Sequence, residues 1–495
     1  MQYEGGTAPW VWSGSEPLCK AYVDAGGKQG VKFAQCYVFS AVTTSLLRCL
    51  GVATRSVTCF DSAHDTQANR VVDQFFVVNE ASGELEPDAA RSTDSIWNFH
   101  VWNDVWMARP DLSPGRGGWQ AVDATPQERS GGLFQMGPAS LRMVKDGESG
   151  SYDVDFVIGE VNADICTWHA AAPGAPDRLV STRTTGVGSK ILTKAVGVMR
   201  PENISAQYKH PERSVAERAA LHRGARHPAA VEAGPLSFVF DVSGAVGEGG
   251  GGRAHVGDAL TASLSVTRAA PAAAPHEVDV QIVCASTRYT GRGRTVLKTE
   301  KQTLTLGADA GASARATIAV TPAEYATAAV LGGDAAFPFE MTAYAIAKET
   351  AGPQMFVDTT RVLLEPPRLS LVSVSAMETT TSDDDDAADS SLAVAVGETA
   401  RMRLHFKNPL PIALASCAVT IRGGRHLALL GGECGSSVVA LPLPSKTLGP
   451  GEVCDIGFEL RAVRPGVSLL VAELDAAQLC DVKGYLEVRR RWRQW

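Results

Sequence analysis

Cys36, His100 and Asp123 offer a thiol, an imidazole and a carboxylate in one chain. Together such groups can attack a carbonyl carbon: the thiolate is the nucleophile, the imidazole moves its proton, and the carboxylate holds the imidazole in one tautomer. Each needs an element to place it. After Cys36 the apolar residues Val38, Phe39, Val42, Leu46, Leu47 and Leu50 recur at helical spacing, and Gly51 stands where a glycine closes a helix. A thiol in the first turn of that helix meets unpaired N–H groups and the positive end of the dipole, both of which favour thiolate. The plain alternative is a small buried hydrophobe.

His100 lies in Ser95-Ile96-Trp97-Asn98-Phe99-His100-Val101-Trp102-Asn103, whose aromatic and β-branched content predicts a strand. Gly118 to Pro126 predicts another, and the turn-rich stretch from Arg109 to Gly117 predicts the loop between them. An antiparallel pair would bring His100 and Asp123 across from one another on one face. A core histidine and a turn aspartate would read the same way singly.

The flanks of these residues resemble the animal-type, calcium-dependent transglutaminase family. Its nucleophile motif, Gly-Gln-Cys-Trp-Val-Phe, is matched by Ala34-Gln35-Cys36-Tyr37-Val38-Phe39, and its histidine motif by Trp97-Asn98-Phe99-His100. Its aspartate motif is matched by Gly118 to Glu128, and further islands lie at Ser62–Thr66, Val161–Asp164 and Lys407–Pro411. The resemblance implies a Cys36–His100–Asp123 triad and a protein-glutamine gamma-glutamyltransferase. That enzyme would join protein glutamine to lysine or polyamine amines through a thioester, with deamidation as a side reaction. A catalytically weak or inactive scaffold, or a papain-like protease or amidase, shares part of the pattern. The two C-terminal modules and the calcium ligands speak against the protease.

The same resemblance implies Ca²⁺ held by Asn162, Asp164, Glu212 and Glu217, with a weaker second set at Asp65, Asn69 and Asp94. Oxygen donors from two segments suit that hard cation, although Glu212 and Glu217 also read as a solvated helix start. In the second set, Gln67 and Val71 stand where the family has an acidic residue and a serine. Trp97 matches a tryptophan that walls the amine tunnel, and Tyr289 a tyrosine whose hydroxyl bonds the resting sulfur. The basic residues of some relatives' guanine-nucleotide pocket are not matched in Leu236–Asp241, so nucleotide inhibition is not expected.

At 495 residues the chain is too long for one core. Its composition, 45% hydrophobic and 20% charged, is that of a soluble globular protein. The net charge of −8 argues against bulk nucleic-acid binding, and no apolar run spans a membrane. Without a signal peptide, and with ten cysteines in no metal-finger spacing, a cytoplasmic location is expected, with unconventional secretion left open. The expected organisation is α+β: a papain-like cysteine-transferase core over 1–225, a linker over 226–234, and two immunoglobulin-like β-sandwich or barrel modules over 235–366 and 367–495. The acidic run Asp383–Asp386 is expected to be a solvated loop, and the Arg489–Arg493 tail a frayed terminus. By the family pattern the core is N-terminally incomplete, starting just after the tryptophan whose indole stabilises the oxyanion. Ala34 in place of glycine would add strain if its φ were positive. Oligomeric state and target proteins are not encoded legibly.

Overall fold

The structure is a computed structural model that describes residues 3–491. Not described are residues 13, 80, 82–83, 128, 131, 171–175, 199, 224–233, 244–250, 328–330, 332–336, 348–353, 375–390, 424–425, 431–437 and 481. The expected linker (except Gly234), the acidic run at 383–386, Glu128, and the tail from Trp492 onward therefore lie outside the described residues.

The N-terminal part of the chain is built around an antiparallel sheet whose central strands are largely buried. Its strands, in spatial order, are Pro201–Asn203, Lys190–Lys194, Thr54–His64, Ser95–Met107, Gly118–Asp123 and Met136–Ser140. A second sheet carries Arg178–Arg183, Asp164–His169, Val71–Val78 and Leu85–Pro87, with Val71–Val78 running parallel to Asp164–His169. Helices Cys36–Cys49 and Val154–Val161 pack on the first sheet. Val57, Trp102, Val157, Ile191, Tyr208 and Leu221 are among the side chains that close its core.

The nucleophile helix corrects the expected apolar stripe. Its buried residues are Cys36, Val38 and Ser40, whereas Leu46 is 54% exposed and Leu50 77%. The face that meets the sheet is polar. Ser40 Oγ donates to Trp102 O at 2.9 Å, and Asn103 Nδ2 donates to Thr44 Oγ1 at 2.7 Å. These bonds fix the helix against the histidine strand by direction rather than by greasy contact, which holds Cys36 in register. Gly51 closes the helix at φ +78°, a conformation that favours glycine, and its N–H donates to Arg48 O at 3.0 Å.

Beyond residue 235 the described residues are mostly β-structure, with one short helix at Pro322–Tyr325. A three-stranded and a five-stranded sheet draw their strands from Leu236 to Glu365, and a four-stranded and a five-stranded sheet from Ser370 to Arg491. Strict alternation of burial along Leu260–Arg268 is the mark of a sandwich strand with one face inward. Among the described residues no sheet crosses position 225 or 366. By internal packing the chain divides into two compact units. One is Met1–Arg253 with Thr261–Ala319 and Pro338–Leu363; the other is Ala254–Leu260, Val320–Phe337 and Leu364–Trp495. Among the described residues, no helix is long and apolar enough to cross a membrane.

Candidate active site

Cys36 is the first residue of its helix, with extended Gln35 as the N-cap, and it is wholly buried. Ala34 is not among the residues with positive φ, so the expected strain does not arise. His100 comes from the middle of Ser95–Met107, and Asp123 ends Gly118–Asp123. Their strands pair antiparallel, with Asn103 opposite Val122. One step further Asp123 adjoins Trp102, so His100 lies diagonally from it, two residues along the same face. That corrects the expected facing pair, and the diagonal still closes a bond: His100 Nε2 lies 2.7 Å from Asp123 Oδ2.

The remaining ring nitrogen, Nδ1, is buried without a partner of hydrogen-bond geometry. The Cys36 thiol lies close enough to the imidazole to interact with it. Burial alone would push His100 down. The charge and hydrogen bond of Asp123 outweigh it, Cys36 adds to them, and the imidazole is held well above its usual range. Cys59, which pairs with His100 across the neighbouring strand, is also a buried thiol, but burial drives its pKa far up and keeps it protonated. The two cysteines nearest the histidine thus differ in what they face.

Two residues at the site lay outside the expected set. Gln127 Nε2 sits 2.6 Å from Asp123 Oδ2, 3.1 Å from His100 Nε2 and 3.3 Å from Glu160 Oε1. Glu160, on the helix Val154–Val161, is 1% exposed and approaches His100 Nε2 to 3.7 Å. Burial, outweighing the attraction of His100, pushes Glu160 up to about 8. Gln127 stands inside Gly118 to Glu128, and Glu160 directly precedes the island Val161–Asp164. Neither type nor spacing said that they would meet the histidine.

Trp97 stacks on His64 at 5.5 Å between ring centres and meets His100 edge-on at 5.0 Å. Tyr289 packs against Trp97 at 5.7 Å and Phe99 at 5.6 Å, and its carbonyl accepts from Asn98 N–H at 2.8 Å. The loop of Tyr289 is therefore seated on the histidine strand, and Gly291 at φ +70° comes so close to Ile96 O that a Cβ would lie 2.4 Å from it.

Of the first expected calcium set, three residues converge and one does not. Asn162 Nδ2 donates to Glu217 Oε1 at 2.8 Å. The guanidinium of Arg218 lies between Asp164 and Glu217, donating to Asp164 Oδ1 at 2.6 Å and to the two Glu217 oxygens at 2.7 and 2.5 Å. Glu212 instead pairs with Lys209, three residues before it. Ser214 caps the helix Val215–His222 through Glu217 N–H, and buried Arg70 ties the other end through the Ala220 and Leu221 carbonyls. The oxygens of Asp164 and Glu217 thus already face a single positive charge, a donor set of the kind a hard cation takes.

The second set is brought into one loop, but its oxygens close that loop. Asp65 accepts from Gln67 and Arg70 N–H, Asn69 from Val71 N–H, and Asp94 from Thr66 and Asp73 N–H. Burial pushes Asp65 up to about 6 against the bond from Arg70, and the Asp94 charge adds to it.

Known proteins that match nearly the whole of this chain fall in one family. The family model of the transglutaminase-like superfamily matches residues 24–124, which include all three triad positions. Protein-glutamine gamma-glutamyltransferase K of Homo sapiens is 34% identical over 493 residues, covering 98% of this chain and 54% of that protein. Protein-glutamine gamma-glutamyltransferase 4 of Homo sapiens is 48% identical over 222 residues, 44% of this chain and 31% of the relative. Among solved structures, the red sea bream transglutaminase superposes with a TM-score of 0.72 at 27% identity, over 99% of this chain and 65% of that one. The chain spans about half the length of the full-coverage relative, 54% in the human K protein. This chain belongs to the transglutaminase family.

Proposed function

We propose that the chain carries the active site of a calcium-dependent protein-glutamine gamma-glutamyltransferase. The observation behind the reading is the buried Cys36–His100–Asp123 arrangement, in which the imidazole lies between a thiol and a carboxylate 2.7 Å away that raises its pKa. Cys36 attacks a glutamine carboxamide as thiolate, and His100 gives its proton to the departing ammonia, leaving a thioester. A lysine or polyamine amine then loses a proton to His100 and attacks the thioester, forming an isopeptide bond. Water in place of the amine gives deamidation. Trp97 walls the amine's approach, and Tyr289 covers the resting thiol until its loop moves away, which accords with the complete burial of Cys36.

Asn162, Asp164 and Glu217 would hold Ca²⁺, with Glu212 joining once released from Lys209. When bound, the ion neutralises these carboxylates and ties the 162–164 segment to the helix Val215–His222. The set at Asp65, Asn69 and Asp94 is a weaker cation site, because its oxygens are committed to backbone N–H groups.

The test is incorporation of a labelled primary amine into a glutamine-rich protein, with Ca²⁺ and with a chelator. Signal with Ca²⁺ only is expected; a folded protein that gives none overturns the reading. Arg218 competes with the ion for the same oxygens. Arg218→Ala is therefore expected to tighten Ca²⁺ binding roughly tenfold or more, since the buried carboxylates of Asp164 and Glu217 are both left uncompensated. Calorimetric titration reads this directly, and equal or weaker binding contradicts it.

A further inference from the structure

His100, Asp123 and Glu160 offer three ligand atoms within 4.8 Å of one another, among the described residues the one group of three His, Cys, Asp or Glu side chains drawn so close. The Gln127 amide nitrogen lies within 2.6–3.3 Å of all three atoms. We propose that Gln127 is a positioning residue of the triad: its side-chain amide, bonded to Asp123 and Glu160, fixes Asp123 Oδ2 against the histidine ring and keeps the two carboxyl groups apart. The inference rests on the acyl-transfer reading of the site.

The bonding supports one orientation of the carboxylate. Thr125 N–H donates to Asp123 Oδ1 at 2.8 Å, and Gln127 Nε2 and His100 Nε2 both donate to Oδ2. Both oxygens are thereby fixed, Oδ1 from a residue two positions on and Oδ2 from one four positions on. The amide has two N–H groups, and its second reaches Glu160 Oε1. The 3.1 Å approach of the amide nitrogen to His100 Nε2 then sets two donors side by side and is not a third bond. Without the amide, Asp123 Oδ2 keeps only the imidazole and Glu160 Oε1 loses its donor, and a buried carboxylate short of donors turns to find one. A turned Asp123 releases the imidazole.

The groups that face His100 are Cys36 from the nucleophile helix, Asp123 from the next strand, Glu160 from the helix Val154–Val161 and Cys59 from the other neighbouring strand. The readout is alkylation of Cys36 by iodoacetate across pH, followed on the Cys36 peptide by mass spectrometry. The reagent is an anion, so its rate falls as the imidazolium loses its proton, and the alkaline limb reports His100. Gln127→Leu keeps the bulk and removes both donors. It is expected to slow alkylation about tenfold at neutral pH and to move the alkaline limb down by roughly one pH unit. A profile superimposable on the wild type overturns the proposal, because a side chain that only fills space there would leave both rate and limb unchanged when leucine keeps the bulk. Gln127→Asn withdraws the amide by one methylene and takes over the test should the leucine variant not fold: a lowered limb supports the proposal, an unchanged one overturns it. All profiles are taken with Ca²⁺ present, since the resting thiol is buried; if Cys36 of the folded, Ca²⁺-treated wild-type protein is not alkylated at all, the acyl-transfer reading falls and this inference with it.

Discussion

Cys36→Ala is expected to reduce amine incorporation by at least about 10⁴-fold, to the level of the uncatalysed background. The sulfur is the one atom at the site able to form the thioester. No neighbour replaces it: Cys59 is held protonated by burial, and its Sγ is turned toward the Glu160 carbonyl at 3.7 Å. The substitution should leave the fold intact. Alanine suits the first turn of a helix, and the helix is anchored by Ser40, Thr44 and Asn103 rather than by the thiol. Binding of the glutamine protein is thus expected to survive while transfer disappears. The check is a pair of measurements on the same preparation, labelled-amine transfer and thermal unfolding. Equal transfer by the variant would remove Cys36 from the mechanism, and a collapsed melting temperature would mean that the loss reports folding.

How much of this could be read from the chain follows from the range over which each feature is determined. The helix Cys36–Cys49, closed by Gly51, is local, set by spacing and a terminal glycine, and is legible. Its outward apolar side is not. Leu46 and Leu50 recur at the right period, yet the sheet beneath the helix offers Ser56, Trp102 O and Asn103, which choose the polar side. Periodicity shows that a helix has a stripe; only the partner decides which stripe is buried. The His100 strand and the Asp123 strand were legible as strands, and their diagonal offset follows from a register that the loop between them does not reveal. Gln127, Glu160 and Arg218 escaped for a different reason. Their types are common on surfaces, and most of their partners, carboxylates and a ring, lie 4 to 60 residues away in sequence. Glu212 shows the reverse: a lysine three positions earlier captures it locally, which motif matching alone does not weigh.

Asp123→Asn is expected to lower transfer by roughly 10³–10⁴-fold while leaving the main chain in place. Size is kept, so the loss comes from charge and from hydrogen-bond polarity. The wild-type carboxylate accepts at both oxygens, from Thr125 N–H on one side and from His100 and Gln127 on the other. An asparagine has one acceptor and one donor end, so whichever way it turns, an N–H group faces another N–H group. The charge matters as much. Asp123 is what lifts His100 above its usual range against the downward push of burial, and without it burial prevails. The sign follows from linkage. A histidine raised in the folded state stabilises the fold below its unfolded value near 6.5, and that contribution is lost as pH rises through the folded value. In Asp123→Asn the raised value is gone, so the imidazole is neutral at neutral pH and has no proton for the departing ammonia. The residual activity should therefore peak at a more acid pH than that of the wild type, and the His100 ring signal, followed by NMR of histidine-labelled protein, should titrate below 6.5. A His100 that still titrates well above that value in the variant would show that a group other than Asp123 holds its charge, with Glu160, 3.7 Å from Nε2, the nearest remaining carboxyl.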